Sequence, residues 1–151
     1  MKIEEGVEPA VRAAFAGAVA GDSDRLDAAM AAITARGDDF TRNSISLALT
    51  IGFTALYTMN EGQRPNDEAL EETAEILAED AAGTWAADVT EDDALEFLTA
   101  LADRRESTLD PADFAVLAFG AGGWLLAASV PEDGEWTDFL DTILEQLEAA
   151  G

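Results

Sequence analysis

The chain contains no cysteine and no histidine, and lysine occurs only once, at Lys2. Without these residues it can form no disulfide, no thiolate or imidazole metal site, and no nucleophile of the Cys or Ser-His type. It also lacks the side chain that most often serves as a general acid or base at neutral pH. These absences exclude most soluble enzyme mechanisms, so we expect a non-enzymatic protein with no catalytic residues, no metal and no cofactor.

Positive charge is also scarce, and the negative charge is concentrated in the C-terminal part. Eight basic residues stand against 32 acidic ones, which gives a net charge of −24. Residues 1–62 hold five basic and nine acidic residues, a net of −4, whereas residues 63–151 hold three and 23, a net of −20. Such a surface repels nucleic acid and anionic lipid and attracts basic proteins. We therefore expect a basic protein partner, and no direct binding to nucleic acid or to a membrane.

A second interpretation of the charge requires no partner. The chain is rich in alanine and uses arginine in preference to lysine. This usage is typical of a GC-rich genome, and an excess of acidic residues is also an adaptation to high salt. In this alternative the carboxylates serve only for solvation, and the function lies in an apolar ligand pocket or an oligomer contact.

One long uncharged hydrophobic run, residues 114–130, has to be tested as a membrane span. It reaches only the lower edge of membrane-spanning length. Three glycines lower its hydrophobicity, acidic residues flank both ends, and no lysine or arginine lies nearby to set a topology. We therefore predict a buried core helix here. The first residues lack the basic segment followed by an apolar one that marks a signal peptide, which favours a cytoplasmic protein.

Apolar residues recur at helical spacing almost everywhere and alternate convincingly nowhere, which predicts an all-α fold. Capping residues, prolines and glycines mark a single-domain bundle of about seven helices over residues 1–151. The predicted helices begin near residues 9, 22, 39, 66, 90, 111 and 135. The third and sixth carry almost no charge, so we expect them to pack together at the centre, with Gly52 and Gly120 near their contact. Four of their apolar side chains should be shielded from solvent: Leu49, Phe53, Leu117 and Trp124.

The order of the helices favours an internal duplication. Helices two to four, about residues 22–82, and helices five to seven, about residues 90–150, share one plan. Each set has a short amphipathic helix, a long apolar helix and a strongly amphipathic acidic helix. At an offset of 68 residues, Gly52 aligns with Gly120 and Leu49 with Leu117. The pattern predicts two three-helix repeats around the two uncharged central helices.

The densest acidic row lies on the predicted fourth helix. Its members are three or four residues apart and therefore neighbours on one face: Glu68, Glu72, Glu75 and Glu79. Carboxylates at this spacing suit a basic groove on a partner, as in inhibitors, immunity-type proteins or nucleic-acid mimics. Trp85 and Trp136 lie near helix ends and would be half-exposed aromatic anchors for the same partner. A merely solvated helix face would show the same acidic pattern.

Two further patterns keep other functions open. Glu72 and Glu75 form an ExxE pair, and Asp93 with Glu96 follow in the order DxxE. A Mg-dependent nucleotide pyrophosphohydrolase would hold its metal with such oxygen ligands, although its second pair has the order ExxD. The third helix also carries a stripe of hydroxyls, which either lines a polar pocket or bonds back to the carbonyls one turn earlier. The stripe consists of Ser46, Thr50, Thr54 and Thr58.

Overall fold

The computed structural model describes residues 3–85 and 89–150, and over these ranges the chain is helical and contains no strand. The described residues form seven helices, which confirms the expected all-α bundle. Their bounds are α1 Val7–Val19, α2 Ser23–Ala35, α3 Asp38–Met59, α4 Asp67–Ala82, α5 Glu91–Asp103, α6 Pro111–Ser129 and α7 Trp136–Ala150.

Six of the seven described helices begin within one residue of their predicted starts. At the start of α2, α4 and α5 a polar side chain accepts a hydrogen bond from a backbone N–H of the first turn. These capping residues are Asp22, Asn66 and Thr90. α6 starts at Pro111, and the side chain of Asp110 before it makes no capping bond. α1 starts at Val7, two residues before the predicted Pro9. Pro9 is tolerated in the first turn because the N–H groups of that turn have no partner within the helix.

The two helices with long uncharged segments, α3 and α6, pack against each other at the centre of the bundle, as expected. The apolar side chains named for this centre are buried fully (Leu117) or in part (Leu49, Phe53 and Trp124). Gly52 lies at the contact, where an added Cβ would be 3.8 Å from the Gly122 Cα. The backbones of the two helices therefore approach each other through glycine.

Gly120 does not lie at this contact, so its predicted position is wrong. The indole ring of Trp85, just after α4, fills the space in front of Gly120, and a Cβ at this position would overlap the ring. Residues 120 and 122 differ by about 200° around a helix, because each residue advances by 100°. The α6 residue at the α3 contact is therefore Gly122, and Gly120 makes room for a loop tryptophan.

α1 is the third helix of the centre, which the sequence did not indicate. It packs against α2, α3 and α6, and its Phe15 is fully buried. The Phe15 ring lies against Gly122, where an added Cβ would be 2.7 Å from a ring carbon, and the Phe15 backbone faces Gly123. Gly122 and Gly123 of α6 therefore allow close packing of α1, and Gly122 also allows close packing of α3.

Among the described residues, α6 is the one helix that is long and apolar enough to cross a membrane by length and composition. Half of its most apolar window is buried inside the protein. Its packing against α1 and α3 matches the core helix predicted from the sequence.

Buried side chains from all seven helices of the described chain join in one core. Some contacts match a two-fold repeat: α4 packs against α6, and its counterpart α7 packs against α3. Others do not, because α5 packs mainly against α4, whereas its counterpart α2 packs mainly against α1. The internal repeat therefore stays a prediction.

Candidate functional site

The four glutamates of the acidic row all lie on the outward face of α4, and all are exposed. The opposite face of the helix is buried through Leu70, Ala74, Leu77 and Ala81. Ion pairs in residues 3–85 and 89–150 involve Arg12, Arg42, Arg64 and Arg105, and none reaches Glu68, Glu72, Glu75 or Glu79. The row therefore presents negative charge to solvent without a cation from the described part of its own chain.

An exposed isoleucine interrupts this row. Ile76 is 52% exposed. Among the described residues, the other large apolar side chain with high exposure is Met59, at 41%. It follows Glu72 by one turn and precedes Glu79 by one turn, so carboxylates border it on both sides. We call these five residues, Glu68, Glu72, Glu75, Ile76 and Glu79, the acidic face.

The two tryptophans expected beside this face differ in their surroundings. Trp85 is only 4% exposed because its ring packs over Gly120, so it is not the half-exposed anchor that the sequence suggested. Trp136 is half-buried at the start of α7. However, α7 packs mainly against α6 and α3, whereas α4 packs against α5 and α6. The structure therefore groups the four glutamates together and does not group either tryptophan with them.

The carboxylates of the proposed pyrophosphohydrolase motif are not free to act together. The Glu96 carboxylate accepts hydrogen bonds from both Nη atoms of Arg105, at 3.0 and 2.9 Å, and from the Thr108 backbone N–H at 2.9 Å. These bonds lower the pKa of Glu96 to about 2, the Arg105 side chain contributing most. Within the described ranges, no three acidic side chains are placed to hold a metal ion together.

A groove of about 820 Å³ opens between α3, α5 and the beginning of α6. Its apolar lining includes Leu49, Phe53, Phe97, Leu101, Leu109 and Phe114. Its volume falls in the range usual for small-molecule sites. A smaller hollow of about 290 Å³ shares Pro111 and Phe114 with it and continues towards Ile45.

The hydroxyl stripe of α3 borders this groove at one end. Ser46 and Thr50 line it. All three threonines of the stripe donate to the carbonyl one turn earlier, at 2.9, 2.9 and 2.7 Å for Thr50, Thr54 and Thr58. The three threonines therefore satisfy their donors locally, as one of the two interpretations predicted. Ser46 and Thr50 add a polar margin to an otherwise apolar groove.

Arg104 is the cation of the groove that has no carboxylate partner in the described chain. It ends α5 in the left-handed region, with φ 53°. Its guanidinium carbon lies 4.0 Å from the centre of the Phe53 ring, and both side chains line the groove. Arg105 also lines the groove, but Glu96 holds it.

Comparison with protein-family models, curated proteins and solved structures gave no match.

The sequence indicated the acidic face but not the groove. The spacing of the glutamates is a local pattern on a single helix, whereas the groove is assembled from α3, α5, the loop after α5 and α6. One usable signal was the Arg104-Arg105 pair, because basic residues are so few in the C-terminal part of the chain.

Proposed function

We propose that this chain is a non-enzymatic, cytoplasmic protein-binding module whose acidic face docks on a basic protein. The observation that carries the proposal is the exposed Ile76 among four exposed glutamates that lack an ion-pair partner in the described chain. Carboxylates attract a basic surface at long range and orient it. An apolar side chain among them supplies contact area that loses water on binding.

The position of α4 favours this use of its outward face. Like charges three and four residues apart destabilise a helix by a few tenths of a kcal/mol per pair. The buried leucines and alanines of α4 hold the helix in place against α5 and α6. The fold therefore tolerates the repulsion, and a basic partner would relieve it.

A metal-dependent pyrophosphohydrolase is less well supported. Arg105 and Thr108 already occupy the Glu96 carboxylate, and Glu72 and Glu75 face solvent on another helix. The Glu96 carboxylate is therefore bound by its own chain, and within the described residues no three acidic side chains are placed to hold one metal ion.

The proposal is tested by reversing the acidic face. The partner is first recovered at low salt from the source cell and identified, and its association is then measured against ionic strength. Replacing Glu68, Glu72, Glu75 and Glu79 together by lysine should abolish binding, while circular dichroism shows that the fold persists, because exposed charges contribute little to stability. Wild-type association should slow steeply as salt rises.

A matched control separates the face from net charge alone. Asp27, Glu61, Glu132 and Glu145 are exposed, lie on four different segments and make no ion pair in the described chain. Reversing these four to lysine changes the net charge equally and should preserve most of the binding. Equal loss in both variants, or full binding by the first, would refute the docking role of the acidic face.

A further inference from the structure

The groove between α3, α5 and α6 is a second surface, and it shares no residue with the acidic face. Leu49, Phe53, Leu109 and Phe114 are each only partly buried there, so the core leaves part of their apolar surface to water. Burial of such surface is favourable by about 25 cal/mol per Å². The groove therefore offers binding energy to a ligand with an apolar body.

Arg104 gives this apolar groove a local positive charge. The chain has four acidic residues for each basic one, and Arg12, Arg42, Arg64 and Arg105 each have a carboxylate partner. Arg104 instead places its guanidinium carbon over the Phe53 ring. A guanidinium placed over an aromatic ring still has N–H donors, and these can hydrogen-bond a carboxylate in bidentate fashion.

We infer that the groove binds a small amphipathic anion, with its apolar body along Leu49, Phe53 and Phe114 and its single carboxylate on Arg104. Arg105 does not serve as the receptor because Glu96 accepts hydrogen bonds from both of its Nη atoms. Its bond to Glu96 instead fixes the loop that follows α5, together with the bond from the Thr108 N–H.

The remaining charges of the groove select a monoanion. Glu106 also lines it and is exposed, so a second negative group on the ligand would meet this carboxylate. A basic peptide would in turn meet Arg104. A second copy of the chain would bring together two molecules that each carry a net charge of −24. A small ligand with one carboxylate has no second negative group, carries no cation towards Arg104, and brings far less negative charge than a second copy of the chain.

Salt distinguishes this site from the acidic face. The negative field of the whole chain repels an anion at low salt, and at about 0.15 M salt this field is screened beyond about 8 Å. The contact between the ligand carboxylate and Arg104 is shorter than this screening distance, so salt weakens this attraction less than it weakens the long-range repulsion. Binding of the amphipathic anion should therefore tighten or hold as salt rises, whereas a basic partner on the acidic face should bind more weakly.

The probe is decanoate, compared with decanol, which has the same chain length and no charge. Calorimetric titration of the full chain should show decanoate binding about tenfold more tightly, as expected for one charge-assisted hydrogen-bonded contact. Arg104→Gln should bring the decanoate affinity down to that of decanol. Arg104→Lys, which keeps the charge but not the planar fork, should lose only part of the difference.

Arg36→Gln is the matched control. Arg36 also ends a helix, also stacks on a phenylalanine, with its guanidinium carbon 3.9 Å from the Phe40 ring centre, and lines neither hollow. Decanoate should bind this variant as it binds wild type, and amide NMR shifts should map to Leu49, Phe53 and Phe114.

Three results would overturn the inference. The first is equal affinity for decanoate and decanol, including no binding of either. The second is an equal effect of Arg36→Gln and Arg104→Gln on decanoate binding. The third is a concentration-dependent dimer that shields the groove amides in the absence of decanoate, which would assign the surface to a second copy of the chain.

Discussion

Replacing Gly120 by alanine tests the packing of α6, because helix propensity and packing predict opposite signs. In a helix interior alanine is more favourable than glycine by about 1 kcal/mol. At this position, however, the added methyl group would overlap the Trp85 ring, which is 4% exposed and has little room to move. Overpacking a core costs about 1–3 kcal/mol, and the cost rises if the ring is expelled. An overlap with a whole indole ring falls in the upper part of this range, and the gain in helix propensity offsets about 1 kcal/mol of it, so we expect Gly120→Ala to destabilise the protein by about 1–2 kcal/mol.

Thermal unfolding followed by circular dichroism measures this change. For a chain of this length 1 kcal/mol shifts the Tm by about 2–4 °C, so a loss of about 1–2 kcal/mol should lower the Tm by about 2–8 °C. Gly83→Ala is the control, because an added Cβ there meets no atom within 4 Å and the φ of −87° suits alanine. Its Tm should stay unchanged or rise slightly. If Gly120→Ala were as stable as wild type, the packing of Trp85 on α6 would be wrong.

The Tm should rise as salt is increased from low to physiological ionic strength, because screening weakens the repulsion among the carboxylates of residues 63–151; a Tm indifferent to salt in thermal melts would contradict this. Glu96→Gln should lower the stability at neutral pH. Because the pKa of Glu96 is lowered from 4.5 to about 2 in the folded protein, its ionised form stabilises the fold above pH 4.5 and this contribution disappears as the pH falls towards 2. Urea titrations should therefore show the gap between wild type and variant closing over that interval, and a gap that widens would show that Glu96 is not held by Arg105. The purified protein should not hydrolyse nucleoside triphosphates with Mg²⁺ or Mn²⁺; turnover that is lost in Glu72→Gln and Glu75→Gln would establish the pyrophosphohydrolase instead.

The helices of this protein could be predicted from local signals. Asn66 and Thr90 cap the helices that they were expected to cap, because a cap bond links residues only three positions apart. The central position of α3 and α6 could be predicted from their long uncharged segments, because a helix that is apolar nearly all round is typically buried. The residues that pack against each glycine of α6 could not be predicted from the sequence. Gly120 faces Trp85 rather than α3. No sequence pattern within α6 indicates which of its glycines contacts α3 and which contacts Trp85.

The candidate sites, like the helices, could be predicted only where the determining residues are close together in sequence. The acidic face could be predicted because its spacing is that of one helix, and exposure of its four glutamates agrees with that prediction. The burial of Trp85 could not, because it depends on a glycine 35 positions further along the chain. The role of Glu96 was also beyond the sequence, since its bonds to Arg105 and Thr108 close a loop whose shape no local signal encodes.

The contact between Phe15 and Gly122 has a consequence for synthesis of the chain. The two residues are 107 positions apart, and translation proceeds at about 5–20 residues per second. Phe15 therefore leaves the ribosome about 5–20 s before the helix that covers it is complete. During this interval α1 can pair with α2, its neighbour in sequence, but part of its apolar face has no permanent cover. Folding of the centre is thus delayed until α6 has been synthesised, and α1 and α2 are the nascent helices that we expect a chaperone to contact.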